Sequence, residues 1–177
     1  MKKMTDENTN PESQPIPEAT SPGAVDGIQF GIQKVYVKDT SFEAPNSPGI
    51  FSDGQTWEPD INVNLNNSSN PLGNDMFEVT LTLTVTAKLG DKTAFLAEVQ
   101  EAGIFGIRGA GETQMGPILG SYCPNILFPF ARQVISNLVA EGGFPTLLLS
   151  PINFEALYMQ SMQETGQPAA AEGGATL

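Results

Sequence analysis

Two pairs of closely spaced carboxylates, Asp39/Glu43 and Glu98/Glu101, and a single thiol, Cys123, are the groups of this chain best suited to chemistry. Two carboxyl groups about 5–9 Å apart in a cleft can hydrolyse a glycoside. Nothing around these acids marks a sugar cleft, and solvated surface acids are the default reading. Cys123 stands between Tyr122 and Pro124 at an expected helix start, where a helix N-terminus can lower a thiol pKa. A nucleophilic thiol also needs a base, and the chain contains no histidine. Cys123 therefore reads as a structural thiol. The same absence removes Ser-His-Asp triads, imidazole metal ligands and histidine acid–base work. Gly106-Ile-Arg-Gly-Ala-Gly111 has the look of a phosphate loop but lacks the Lys-Ser/Thr ending, so it reads as a plain glycine loop. Asn67-Ser68-Ser69 matches a glycosylation sequon and, with no signal sequence, reads as a turn. No catalytic set and no metal set emerges, and the chain is expected not to be an enzyme.

The elements that would position these groups follow from periodicity. Ile28, Phe30 and Ile32 alternate with polar or small residues, and the phase then slips to Val35 and Val37, as a β-bulge would make it. Ile61, Val63 and Leu65 alternate with three asparagines. From Phe77 to Leu89 every second residue is apolar, and Thr80, Thr82, Thr84 and Thr86 line the other face. Leu89-Gly90-Asp91-Lys92 predicts a turn, with Thr93 to about Ile107 returning as the partner strand. In that strand Leu96 and Glu98 share one face, while Phe95, Ala97 and Val99 take the other. An acid beside a leucine on a sheet face suits a basic, partly apolar partner. A long loop, about Phe42 to Pro59, separates the first two strands and holds Pro45, Pro48, Phe51 and Trp57. Loops of that length are usually functional or disordered, and the aromatic residues argue against disorder.

The run from Ser121 to Met159 is nearly free of charge in a chain of formal net charge −12. It reads as helix, extended linker, helix. Pairs at Ile126/Leu127, Phe130/Ala131, Val134/Ile135 and Leu138/Val139 form an apolar stripe, and Gly142-Gly143 supplies the stop. Asn153 can cap a second helix carrying Phe154, Leu157, Tyr158 and Met162. So much apolar surface points to contacts with other chains. Four strands followed by two helices is an α+β arrangement on an antiparallel sheet. Residues 1–27 and 164–177 read as a disordered N-terminal and a flexible C-terminal tail around a domain at 28–163.

Eight basic against twenty acidic side chains disfavour nucleic acid and anionic membrane surfaces and favour basic partners. One cysteine allows no intrachain disulfide and fits a reducing compartment. No secretory signal is legible, and the apolar runs fall well short of the roughly 20 residues a membrane helix needs. A cytosolic location is expected.

Four segments carry a resemblance to a family: VYVKDTSFEAPNSP (Val35–Pro48), LTVTAKLGDKTAFLAEVQEAGIFGI (Leu83–Ile107), GETQMGPILGSYCPNILFPFAR (Gly111–Arg132) and GGFPTLLLSPINFEALY (Gly142–Tyr158). They resemble SecB, the bacterial protein-export chaperone family, over about Ile28 to Gln163. The resemblance implies a cytosolic, ATP-independent holdase. Such proteins assemble as a homotetramer, a dimer of dimers, with a four-stranded sheet and two helices per protomer. They hold unfolded precursors and deliver them to the SecA motor, using no nucleotide or other cofactor. It further implies that Asp39, Glu43, Leu96 and Glu98 receive the motor's basic, zinc-containing tail. Ala97, Val99 and Glu101 fall at the positions of the dimer–dimer contact, Ala97 where a cysteine is common. Trp57, Val63, Leu65 and Tyr158 fall in the client groove. The C-terminal tail here is poor in acids, unlike the family's. The alternative on the same fold is a chaperone dedicated to an antitoxin, which a neighbouring toxin–antitoxin pair in the genome would favour.

Overall fold

The computed structural model describes residues 27–52, 54, 56–165 and 173–176. Apart from Gly27, the expected N-terminal tail lies outside the described residues. The strands are β1 (Gln29–Glu43), β2 (Asp60–Gly73), β3 (Met76–Leu89), β4 (Lys92–Arg108) and β5 (Gly173–Thr176). The helices are α1 (Gly49–Ser52), α2 (Glu112–Pro117), α3 (Cys123–Glu141) and α4 (Phe154–Thr165), with a π-helical turn, Ile118–Tyr122, between α2 and α3.

The sheet is antiparallel throughout, in the order β1-β4-β3-β2-β5. The four strands read from alternation form its body. The phase slip in β1 is a register shift between Ile32 and Lys34, and a second lies between Val37 and Asp39. β2 and β3 are joined at Asn74-Asp75, both in the left-handed region (φ 51 and 60), which matches the twist of a tight hairpin. Leu89 pairs with Lys92 across the predicted Gly90-Asp91 turn. Two expectations differ. Asn67 and both serines of the sequon are mid-β2 rather than a turn, because Asn67 pairs with Leu81. Of the C-terminal stretch expected to be flexible, 166–172 and 177 lie outside the described residues, and Gly173–Thr176 pair with β2 as β5.

One sheet face carries the core. Val79, Leu81, Leu83, Val85 and Ala87 of β3 stand opposite Gly103, Glu101, Val99, Ala97 and Phe95 of β4, and directly paired residues share a face. α3 covers that face with Leu127, Ala131, Ile135 and Val139, one residue per turn, all fully buried. Pro124 falls where the π-helical turn hands over to α3 and the hydrogen-bond pattern changes. Gly143 ends the helix with a positive φ of 84, and Phe144 donates its N–H to the Val139 carbonyl at 3.2 Å. Asn153 caps α4 as expected, its Oδ1 accepting from the Ala156 N–H at 3.0 Å.

The short α2 and the π-helical turn have no counterpart in the pattern reading, because Gly111, Gly116, Pro117 and Gly120 look like loop. Packing explains those glycines: a Cβ on Gly116 or Gly120 would stand 2.5 Å from Tyr158. The tyrosine ring lies against bare backbone, and tertiary contact overrides helix propensity.

Candidate functional site

The open face of the sheet, opposite α3, gathers the acidic set. β1 pairs with β4 so that Glu43 stands opposite Leu96, Ser41 opposite Glu98, and Asp39 opposite Gln100. β4 pairs onward with Thr86, Thr84 and Thr82 of β3 at the same three levels. Directly opposed Cβ atoms in such a ladder lie about 4.5–5.5 Å apart. Asp39, Glu43, Leu96 and Glu98 therefore form one contiguous patch, three acids around a leucine on a bed of hydroxyls. Asp39 and Glu43 are exposed; Leu96 and Glu98 are half-buried. The Thr84 hydroxyl donates to Glu98 Oε2 at 2.7 Å, and Thr40 donates to the Glu98 backbone carbonyl at 3.1 Å. The first of these bonds fixes the Glu98 carboxylate against β3 and the second its backbone against β1. Lys38, the cation beside this patch on β1, is taken up by Glu78, 2.8 Å away. The bond from Lys38, helped by one from the Tyr36 hydroxyl, draws the Glu78 carboxyl below its usual value.

Glu98 and Glu101 do not form a carboxylate pair. Glu101 is on the core face, paired with Val37 and Leu81, and is 3% exposed. Its Oε2 has no hydrogen-bond partner, and burial raises its pKa. Ala97 and Val99 are fully buried on that same face. Within one protomer these three residues are core under α3 and offer no free surface. What stands free is the neighbouring row of α3: Ile126, Val134 and Leu138 are half-exposed and Phe130 is 49% exposed. Ile32 and Val37 of β1, on the same side of the sheet, are also exposed.

The four residues implicated in a client groove do not line one cavity. Val63 and Leu65 are buried at 2% and 4% exposure, opposite Val85 and Leu83. Leu65 also borders a small gap closed by Phe154 and Leu157 of α4. Trp57 is half-buried in a cluster of rings around Phe144, with centroid distances of 5.5 Å to Trp57, 4.9 Å to Phe51 and 5.1 Å to Phe95. The long loop is pinned there by Asn46, whose amide donates to the Thr93 carbonyl at 2.9 Å. Tyr158 lines an open groove of ≈ 730 Å³ between the π-helical turn and α4, with Ile118, Tyr122, Ile152, Phe154 and Met159. Pattern reading placed Tyr158 but missed this groove, because the turn that forms one wall, Ile118–Tyr122, does not read as a helix.

Cys123 is fully buried, and burial pushes its thiol up to about 12, so it is neither a nucleophile nor a redox group. Arg108 of the glycine loop pairs with Asp75 at 3.2 Å, an exposed ion pair. No described helix is long and apolar enough to cross a membrane.

A family model described as SecB, preprotein translocase subunit SecB, matches residues 24–165. This chain belongs to the SecB family. Similar relatives agree over most of its length. The protein-export protein SecB of Nitrosococcus oceani is 59% identical over 81% of this chain and 88% of its own. That of Methylococcus capsulatus is 51% identical over 94% of this chain and 96% of its own. Among solved structures, a Mycobacterium tuberculosis SecB-like chaperone in complex with a peptide from the HigA1 antitoxin aligns with a TM-score of 0.58 at 13% identity. It covers 70% of this chain and 90% of its own, a likeness of fold alone. The SecB relationship accounts for the α+β fold.

Proposed function

We propose that this chain is a holdase of protein export: it keeps unfolded precursors from collapsing and passes them to the SecA motor. The observation that carries the delivery step is the gathering of Asp39, Glu43, Leu96 and Glu98 on one open sheet face. A basic peptide can lie across such a face, with an apolar side chain against Leu96 and cations at its acidic rim. A zinc-containing tail would bring its own metal, so the protein need supply no ligand. The formal charge of −12 steers basic segments inward, a pull that weakens with salt.

Clients need surfaces that accept many sequences. The ring cluster at Trp57 and Phe144 and the groove beside Tyr158 are apolar and make few demands for specific hydrogen bonds. One long client touching both gains affinity through effective concentration. Assembly as a tetramer in the cytosol completes the reading. The exposed row of α3 and the free side of β1 are apolar surface of the kind sister subunits cover. In that arrangement Ala97, Val99 and Glu101 act from below, by setting how α3 sits on the sheet.

Two measurements test this. Glu98→Lys is expected to weaken binding of a zinc-loaded basic motor-tail peptide by at least about tenfold, since an attraction of roughly 1 kcal/mol or more becomes a repulsion. Suppression of client aggregation without ATP should be unchanged; equal peptide affinity in both proteins would remove the open face from the delivery step. Light scattering at micromolar concentration is expected to give four protomer masses, and a single protomer mass would overturn the assembly.

A further inference from the structure

The outer edge of β2 is occupied from within. One side of β2 pairs with β3 along its length. The other side pairs with β5 at Asn62↔Thr176, Val63↔Ala175, Asn64↔Gly174 and Leu65↔Gly173. An uncovered strand edge is a template for any extended chain, and proteins commonly protect such edges. Here the cover is four residues, Gly-Gly-Ala-Thr. Glycine and alanine are poor strand formers because they have little side chain to pack. The residues standing opposite Leu65 and Val63 are Gly173 and Ala175, among the smallest available. Opposite Val63 and Leu65 the ladder is thus nearly bare backbone, and its one larger residue, Thr176, pairs with Asn62.

We infer that β5 is a tethered stand-in for client: an extended, apolar segment of an unfolded chain takes the β2 edge by displacing it. The inference rests on the holdase reading above. A backbone-only strand is a suitable placeholder. It satisfies those N–H and C=O groups of Asn62–Leu65 that point away from β3 when no client is present. It gives way to any segment that makes the same backbone bonds and also buries large side chains beside Val63 and Leu65, at about 25 cal/mol per Å² of apolar area. Tethering favours β5 by supplying a local concentration in the millimolar range. Weak, short or polar segments then lose to the tail, and long apolar ones win. The same edge contact works for any sequence, because strand addition reads backbone first and alternate side chains second.

Two full-chain variants test the competition. The first ends at residue 172. The second carries Asn64→Cys and Gly174→Cys, register partners that a disulfide can join; the buried, high-pKa Cys123 stays out of that chemistry. The probe is a fluorescein-labelled polypeptide held unfolded by carboxamidomethylated cysteines. If β5 covers the edge for half to nine-tenths of the time, truncation tightens client binding roughly two- to tenfold. The disulfide-locked form should lose affinity by a larger factor and regain it on reduction. Hydrogen exchange at Asn62–Leu65 should speed up on truncation. Identical client affinity in the full-length, truncated and locked proteins would overturn the inference, while leaving the holdase reading intact. A full-length protein that neither binds the probe nor suppresses aggregation would sink the holdase reading and the competition with it. Exchange at β2 would still report the strand contact in that case.

Discussion

The two faces of the sheet are built from the same strands and do opposite things. Along β4, Phe95, Ala97 and Val99 are buried under α3, whereas Leu96, Glu98 and Gln100 remain half-open among threonines. Alternation at period two makes this division automatic: one residue of slip would exchange every side chain between core and surface. The covered face is apolar and closely packed, so it sets stability. The open face is acidic and hydroxylated, so it can carry recognition at little cost to the fold. A chaperone gains from that separation, because its docking residues can change while its core does not.

Three substitutions probe how complete the separation is. On the covered face, Phe105 is fully buried, its ring centroid 5.7 Å from that of Phe30 in a tilted contact. Phe105→Ala is expected to destabilise by about 3–5 kcal/mol in denaturant titration, the usual cost of removing a buried ring. A loss below 1 kcal/mol would mean the face is not core. Glu101, a polar residue on the same face, is the intermediate case. Its raised pKa means that the folded state holds its proton more tightly than the unfolded state does. The burial cost is therefore carried in full above the raised folded value and disappears below the ordinary value of 4.5. Glu101→Gln should stabilise by roughly 1 kcal/mol at pH 8, because it removes a buried charge with an unpaired oxygen, and by nothing near pH 4. A pH-independent gain would point to packing instead. On the open face, Glu98→Lys should move stability by less than about 0.5 kcal/mol, as surface changes do. A larger effect would show that the Thr84 bond supports the sheet, and the division between faces would blur.

Much of this architecture is legible in the amino-acid sequence. The threonine-faced β3, the Leu96/Glu98 face of β4, the bulge in β1, the glycine stop of α3 and the Asn153 cap all follow from spacing and turn chemistry. Each is set by neighbours along the chain or across one hairpin. The unread parts depend on contacts from far away. Gly116 and Gly120 look like loop until Tyr158 is seen lying on them. The paired apolar positions on α3 look like one stripe, but the sheet covers only Leu127, Ala131, Ile135 and Val139. Val63 and Leu65, which the family resemblance implicates in a client groove, face the core side of the sheet that α4 helps to close. β5 is composed of residues that mark a loose tail, and only a partner edge makes them a strand. The asparagine of the sequon is held in β2 partly by its amide, which donates to the Leu119 carbonyl at 3.0 Å, a bond no local pattern contains.

The meander β2–β3–β4 has a kinetic consequence. Its strands are joined by two tight turns, at Asn74-Asp75 and Gly90-Asp91, so each ladder zips outward from its own corner. Closing such hairpins takes on the order of 1–10 μs, whereas pairing strands far apart in the chain is slower. β1 comes earlier in the chain but joins at the far side of β4, so its docking must wait until that strand is in place. The nascent sheet is therefore assembled almost wholly from the chain's middle third. A protein whose work is to hold other chains unfolded thus carries an open strand edge of its own, that of β4, until β1 docks on it.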